Sequence, residues 1–525
     1  MARRAPGRKI IVTEPTPEAI PTAVSPTSNP QVAKFTATIP PKSTIAVEFG
    51  LDTSYGFWTS RVAAPAGGGA VSILVAGMKA ASLYHMRAKV VLESGWWTTT
   101  PDQTFQTGPL PSGLPALTAS TAPGQTPNPG VELVNVIDPI GISVVADFNA
   151  DFLWYYNNTA DKSWEGYAFP IKPLKNGNML ASITNLYSAN VPQQVPYNSV
   201  LREIDLAGDS IKEIYLADLN AALAKMKTPQ GSVVQALCYS HDVLPLWNGH
   251  TILLVQEQRS VWLTDPPGPG QFTILGDAMV DLDENFNPVW VWSCFDNLDV
   301  NRHPYGFDAA DGYDWTHCNC IQIAPDGNLI LSSRHQNWVM KIDYAGRSGT
   351  ILWKLGYQGD FTLTGEQSAS TDWFFAQHYP NLLQAKGNQI TLMSVFDNGN
   401  DRCYAMPGGC DPVGPPPPPP SSRGAIFKID ETAMQASLAW QYPLGEYSYW
   451  GGNVMLLVNG DIEVCASEPL PIGSSPPKVD APSQVVEMIP SPSGPVVVWQ
   501  MTVTTGGTYR SYRIGSLYPG VIWAT

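Results

Sequence analysis

The sequence predicts an all-β protein, a small β-sandwich followed by a six-bladed β-propeller, on three observations. Glycine and proline are abundant, at 45 and 48 residues, while charged residues make up only 14% of the 525-residue chain. That balance suits many short strands joined by turns better than long helices. Short alternating runs fill the segment before Thr107, and a loose internal repeat occupies everything after Val131.

Residues 1–27 mix basic residues with Pro, Thr, Ser and Glu and show no periodicity, so a disordered tail is expected. Over 28–107 the alternation in Lys34–Thr38, Ile45–Phe49, Val71–Val75 and His85–Val90 predicts the sandwich. Val75-Ala76-Gly77-Met78 followed by Tyr84 resembles the tyrosine corner of fibronectin type III-like domains, in which the hydroxyl bonds back to upstream backbone. Residues 108–130, dominated by Gly, Pro, Ser and Thr, read as a linker.

Each repeat from 131 to 525 has two parts. The first is a turn pair before an apolar strand: Asn176-Gly177, Asn248-Gly249, Asp326-Gly327, Lys386-Gly387 and Asn459-Gly460. The second is a strand ending near an acidic residue, a turn, and a strand with a large aromatic: Asp147 with Trp154, Asp205 with Tyr215, Asp281 with Trp292, Asp343 with Trp353, Asp430 with Trp440, and Glu487 with Trp499. Four strands per unit is the pattern of propeller blades. Five full units and a half unit near residue 140 predict six blades, the first closed by strands from both ends of the domain, with five or seven as alternatives.

A net charge of −15 excludes a protein that works by gripping nucleic acid phosphates, which needs a basic footprint. No apolar run approaches the roughly 18 residues of a transmembrane helix, so no membrane insertion is expected. Met1-Ala2-Arg3-Arg4 looks like the start of a signal peptide, but the residues after Ile11 turn polar and proline-rich, so export is not visible. Seven cysteines exclude a fully self-paired framework; Cys403 and Cys410 enclose a Gly-rich turn and fit either a disulfide or two half-buried thiols.

Three of the seven histidines recur in register. His241 lies seven residues before Asn248, His317 nine before Asp326, and His378 eight before Lys386. In a propeller the strand before that hairpin lines the central channel, so the three converge at one channel mouth. A single such histidine is more readily a hydrogen-bonded strand-end residue; three at equivalent positions reverse that preference.

Arg334 ends the strand after the His317 hairpin, where its planar fork suits sulfate or phosphate oxygens as well as it suits an inter-blade salt bridge. Trp315, Phe374, Phe375 and Trp450 crowd the same loops and fit an aromatic pocket and blade packing equally.

The segments Asp314-Trp315-Thr316-His317-Cys318-Asn319, Ser332-Ser333-Arg334-His335-Gln336, Gln377-His378 and Phe396-Asp397-Asn398-Gly399, with Arg402 following, resemble bacterial arylsulfate sulfotransferases that do not use the nucleotide sulfate donor. The likeness extends from about His241 to Leu517-Tyr518-Pro519-Gly520.

It implies ping-pong transfer of a sulfuryl group from an aryl sulfate donor to a phenolic acceptor, with no cofactor. His378 is the implied nucleophile, Arg334, His241 and His317 stabilise charge or move protons, and Trp315, Asn319, Phe374, Phe375 and Trp450 contact substrate. It also implies a periplasmic or secreted enzyme, with a cytoplasmic one the alternative for a chain lacking a visible signal; homodimerisation stays open.

Two other readings compete. Three convergent histidines suit an open zinc site of a hydrolase or lyase, although Arg334 repels a divalent cation. A propeller also serves as a non-catalytic interaction platform, since the fold hosts many functions.

Overall fold

The computed structural model describes residues 20–524 except 138–140, 157, 159–166, 185–197, 265–267, 305–312, 366–367, 401, 407–408, 411–418, 475–480 and 492. Residues 1–19 of the expected tail lie outside the described residues. The end of that segment is not a tail: Thr22–Pro26 forms a strand antiparallel to Ala33–Ile39. Its Thr- and Pro-rich composition gives no signal by itself, and the partner strand supplies both the backbone partners and an apolar surface on which Val24 packs.

The N-terminal alternation is realised as a three-stranded and a six-stranded sheet. Phe35, Ala37 and Ile39 of one and Tyr84, Met86, Ala88 and Val90 of the other turn the same way at every second position and share one core. The Tyr84 hydroxyl accepts a hydrogen bond from the Lys79 backbone N–H at 3.0 Å.

Among the described residues six larger sheets follow, antiparallel except where Thr362–Leu363 pairs parallel to Gln435–Pro443, together with a two-stranded pairing of Glu446–Tyr447 with Leu470–Pro471. The first holds Val131–Val136, Ile142–Ala146 and Phe152–Tyr156, and the final strand of the chain, Thr508–Ile514, pairs onto Val131–Val136. The next five begin with Tyr167–Pro173, Ala236–Pro245, Cys318–Ile323, His378–Lys386 and Asn453–Leu456. The five turn pairs named above join the first two strands of these sheets. Their glycines take the positive φ that such turns demand, 89° at Gly177 and 94° at Gly460.

The first strands of the second to sixth sheets lie beside one another in chain order, Asn453–Leu456 neighbours Thr508–Ile514, and the first sheet in turn contacts Tyr167–Pro173. The succession of sheets thus returns to its start. Tryptophans on fourth strands reach across these boundaries. The indole N–H of Trp154 donates to Leu206 O at 2.8 Å, that of Trp292 to Gly349 O at 2.7 Å, and that of Trp499, in the sixth sheet, to Phe148 O in the first at 3.0 Å.

The linker contributes structure: Leu117–Thr121 adds a fifth strand to Val496–Val503 of the sixth sheet, because an exposed sheet edge offers backbone partners even to a Ser/Thr-rich segment. Cys403 and Cys410 are joined in a disulfide, and the other five cysteines are buried thiols.

Candidate active site

The side chains that carry chemistry sit where the first strands are irregular. Register shifts fall between Tyr239 and Val243, between Cys318 and Cys320, and between His378 and Asn381. A bulge of this kind turns a side chain out of the sheet's alternation. His241 lies within the first bulge, His317 immediately precedes the Cys318–Ile323 strand, and His378 opens the third. Left-handed backbone accompanies them, with φ of 44° at His317, 50° at Ala376 and 47° at Tyr379. Such conformations cost about 1–3 kcal/mol each and persist only where surrounding contacts impose them.

Four histidines, an arginine and a tyrosine are thereby brought together. The His317 ring lies 4.6 Å from that of His241 and stacks on His335 at 4.5 Å. The Tyr509 ring is 5.9 Å from His241 and 6.0 Å from His378, so it bridges the two sides of the cluster. Trp450 stacks on Tyr509 at 6.4 Å and anchors its indole N–H on Glu468 at 2.9 Å.

The hydrogen bonds assign the protons. Asn398 gives its amide N–H groups to Ser448 O at 2.9 Å and Gly451 O at 3.2 Å, so its Oδ1 is an acceptor. His378 Nδ1 lies 2.7 Å from that oxygen and must carry the proton, which leaves the lone pair on Nε2. The Gly451 N–H approaches Nε2 only at 3.3 Å.

His335 donates from Nδ1 to Asp314 O at 2.7 Å and accepts from Arg334 at Nε2, 2.5 Å away. The other arm of Arg334 donates to Tyr449 O at 3.2 Å. His317 Nδ1 lies 2.5 Å from Asp314 Oδ2, and His241 Nδ1 lies 2.7 Å from Ser240 Oγ.

Burial makes the charged imidazoles costly and Arg334 adds repulsion, so His241, His335 and His378 are held well below the ordinary histidine range and His317 is pulled to about 3. Burial pushes the carboxyls beside His317 the other way, Asp314 and Asp277 both to about 7. Alongside the histidines, Asp242 binds Lys172 at 2.5 Å and Arg510 at 3.3 Å. Burial works against its charge, but these two cations hold its carboxyl below the usual range.

Of the residues expected from sequence, His241, His317, His378 and Arg334 do converge, and Trp450 borders them through Tyr509. Trp315, Phe374 and Phe375 do not face the cluster. Trp315 is buried against Phe295 with its N–H on Arg302 O, Phe374 packs edge-on against Phe427, and Phe375 lies between Tyr357 and Arg402. Each fills the sheet-to-sheet core, where large aromatics bury the most area. Asn319 is buried too; its N–H group donates to Gln377 O and its own carbonyl receives Arg510.

Sequence reasoning passed over Asp314 and Asn398 as partners of His317 and His378, and Tyr509 as a member of the cluster. For Tyr509 a signal existed, since it is the second residue of the Thr508–Ile514 strand that closes the first sheet and follows the first strands round.

Among the described residues, Asp314, His317 and His335 bring ligand-type atoms within 4.8 Å of one another. This is not the three-histidine set expected from the repeat. Nor does it suit a divalent cation, because both nitrogens of His335 are engaged in hydrogen bonds, His317 Nδ1 faces Asp314, and a guanidinium lies 2.5 Å from His335.

A family model described as Arylsulfotransferase (ASST) matches residues 128–513. No curated protein sequence matches the chain. Among solved structures, the Hadza microbial sialidase Hz136 is similar at 7% identity over 93% of this chain and 89% of that one, with a TM-score of 0.39. The NanB sialidase from Streptococcus pneumoniae is similar at 9% identity over 92% of this chain and 98% of that one, with a TM-score of 0.27. Neither likeness carries an argument about this chain.

Proposed function

The chain belongs to the arylsulfotransferase (ASST) family and is a sulfotransferase enzyme, and from that premise we propose that it works by a ping-pong mechanism through a sulfohistidine on His378. The observation that carries this reading is the Asn398 contact, which protonates Nδ1 and leaves Nε2 as a neutral, buried nucleophile. In the first half-reaction Nε2 bonds to the sulfur of an aryl sulfate, and the S–O bond breaks with its electron pair going to the phenol oxygen. In the second, an acceptor phenol loses its proton, bonds to sulfur and displaces the histidine. Two displacements replace one difficult direct transfer.

Arg334 is the fixed cation for the equatorial sulfuryl oxygens. His335 and Tyr449 O hold its fork, so no reorganisation is needed as charge spreads in the transition state. His241 and His317, neutral and in ring contact at 4.6 Å, line the other side. Trp450 and Tyr509 supply aromatic surface for the aryl groups. The Gly451 N–H near Nε2 is a long contact that an incoming sulfuryl group replaces.

The architecture that suits this reading is a six-bladed propeller, its blades being the six sheets and the histidine-bearing strands its innermost ones. The N-terminal unit is read as a fibronectin type III-like sandwich, supported by the Tyr84 bond to Lys79. The Cys403–Cys410 bond favours a periplasmic or secreted location over a reducing one.

Incubation with 4-nitrophenyl sulfate, with and without added phenol, followed by mass analysis of the peptide containing His378, tests the mechanism. Phenol-dependent turnover with a sulfuryl adduct on His378 is expected; turnover unaffected by His378→Ala would overturn it.

A further inference from the structure

Asp314 is built into the site more tightly than any role as a packing residue requires. Its side-chain Oδ2 faces His317 Nδ1 at 2.5 Å, while its backbone carbonyl receives His335 Nδ1 at 2.7 Å. The same His335 holds Arg334. The loop that carries it is pinned at both ends, with Leu275 paired to Asp314 in a parallel bridge and Asp277 accepting from Thr316 Oγ1 and Cys318 N, each at 2.7 Å. Among the described residues Asp314 Oδ1 takes no hydrogen bond, so no other donor there competes with His317 for the carboxylate.

His241 is served differently. Among the described residues its Nδ1 meets the neutral Ser240 hydroxyl, and the neighbouring carboxylate of Asp242 is turned to Lys172, Arg510 and the Ile321 N–H.

Resting on the sulfohistidine reading, we propose that Asp314 is the positioning residue that makes His317, and not His241, the group that protonates the departing phenol and deprotonates the acceptor. The protons balance. Before the first displacement the Asp314–His317 pair holds two protons and no net charge, one between Oδ2 and Nδ1 and one on Nε2. As the S–O bond breaks, the Nε2 proton passes to the phenol oxygen and the pair becomes an anion. In the second half-reaction Nε2 takes the proton of the acceptor phenol as its oxygen bonds to sulfur, which restores the neutral pair. Without the carboxyl proton to refill Nδ1, giving up the Nε2 proton would leave an imidazolate, and holding protons on both nitrogens would need a free imidazolium beside Arg334, which burial and charge oppose.

The inference predicts a dependence on leaving group. An Asp314→Asn variant keeps an acceptor for His317 Nδ1 but removes the charge. Its kcat/KM should fall by a few-fold at most with 4-nitrophenyl sulfate, whose phenol leaves readily unprotonated. With 4-methylphenyl sulfate, whose phenol needs a proton, the fall should be about 100-fold or more, the usual scale of general acid catalysis.

His317→Gln should show the same split, and His241→Gln should lose activity on both substrates alike. These two variants keep the test open should Asp314→Asn fold poorly. Parallel loss on both substrates in Asp314→Asn and His317→Gln, with the His378 adduct still formed by wild-type protein, would overturn the role of Asp314 alone. Absence of the wild-type adduct would overturn the sulfohistidine reading and this inference with it.

Discussion

The side-chain oxygen of Asn398 lies 2.7 Å from Nδ1 of His378, and both amide hydrogens of Asn398 are committed to backbone carbonyls. One asparagine therefore decides which imidazole nitrogen is nucleophilic. In Asn398→Asp a carboxylate replaces that amide and favours the imidazolium, so the His378 pKa rises. With 4-nitrophenyl sulfate, whose phenol needs little help from an acid, the wild-type kcat/KM should not fall as pH is lowered from 7.5 to 6, because burial and Arg334 hold His378 well below the ordinary range. The variant should lose activity over the same interval, as protonation removes the lone pair. Identical pH profiles for the two proteins would refute the assignment.

Arg334 uses two arms of its fork, one on His335 at 2.5 Å and one on Tyr449 O at 3.2 Å. Lysine keeps the charge but not the planar geometry. Arg334→Lys should lower kcat by about 100- to 1,000-fold, the scale of removing one preorganised donor at a developing charge, with a smaller change in KM. Steady-state kinetics on one aryl sulfate checks this.

Asp277 is buried and pushed up to about 7, burial being the main cause and Asp314 the next. A carboxyl whose folded pKa is raised contributes stability that is complete below its unfolded value, near 3.9, and is lost as pH rises through the folded one. Asp277→Asn carries no such charge and can still accept from Thr316 and Cys318. Its melting temperature relative to wild type should therefore climb between pH 5 and pH 8. A difference that stays constant across that range would contradict the placement of Asp277.

Trp499 ties the sixth sheet to the first by donating to the buried Phe148 carbonyl. Trp499→Phe removes the donor and leaves that oxygen unsatisfied, a loss of about 1–3 kcal/mol. Trp353→Phe should cost less, because its partner Glu431 keeps Lys341 at 2.7 Å and the Ile390 N–H at 2.6 Å. Denaturant unfolding of the two variants side by side measures the contrast.

Much of the molecule was written locally. The Asn-Gly and Asp-Gly pairs specify hairpins through the positive φ of the second residue, and the large aromatic that recurs after each acidic turn marks an outer strand, from which Trp154, Trp292 and Trp499 bond to the next sheet. Counting from those turns was enough to place His241, His317 and His378 in equivalent positions, and motif likeness added Arg334. These features depend on spacing within one unit, which a linear sequence preserves.

The remainder depended on contacts between distant segments. Whether Phe374 and Phe375 face a ligand or Phe427 and Tyr357 is set by how two sheets meet. Tyr509 approaches His241 only because the last strand pairs back onto Val131–Val136. Composition alone could not reveal the strands at Thr22–Pro26 and Leu117–Thr121, whose stability comes from the edges they join. The sequence by itself determined, through the register of the repeats, that His241, His317 and His378 would meet. The tertiary structure, through bulges that turn side chains out of alternation and through Asp314 and Asn398 supplied by neighbouring turns, decided which nitrogen of each histidine is free to react.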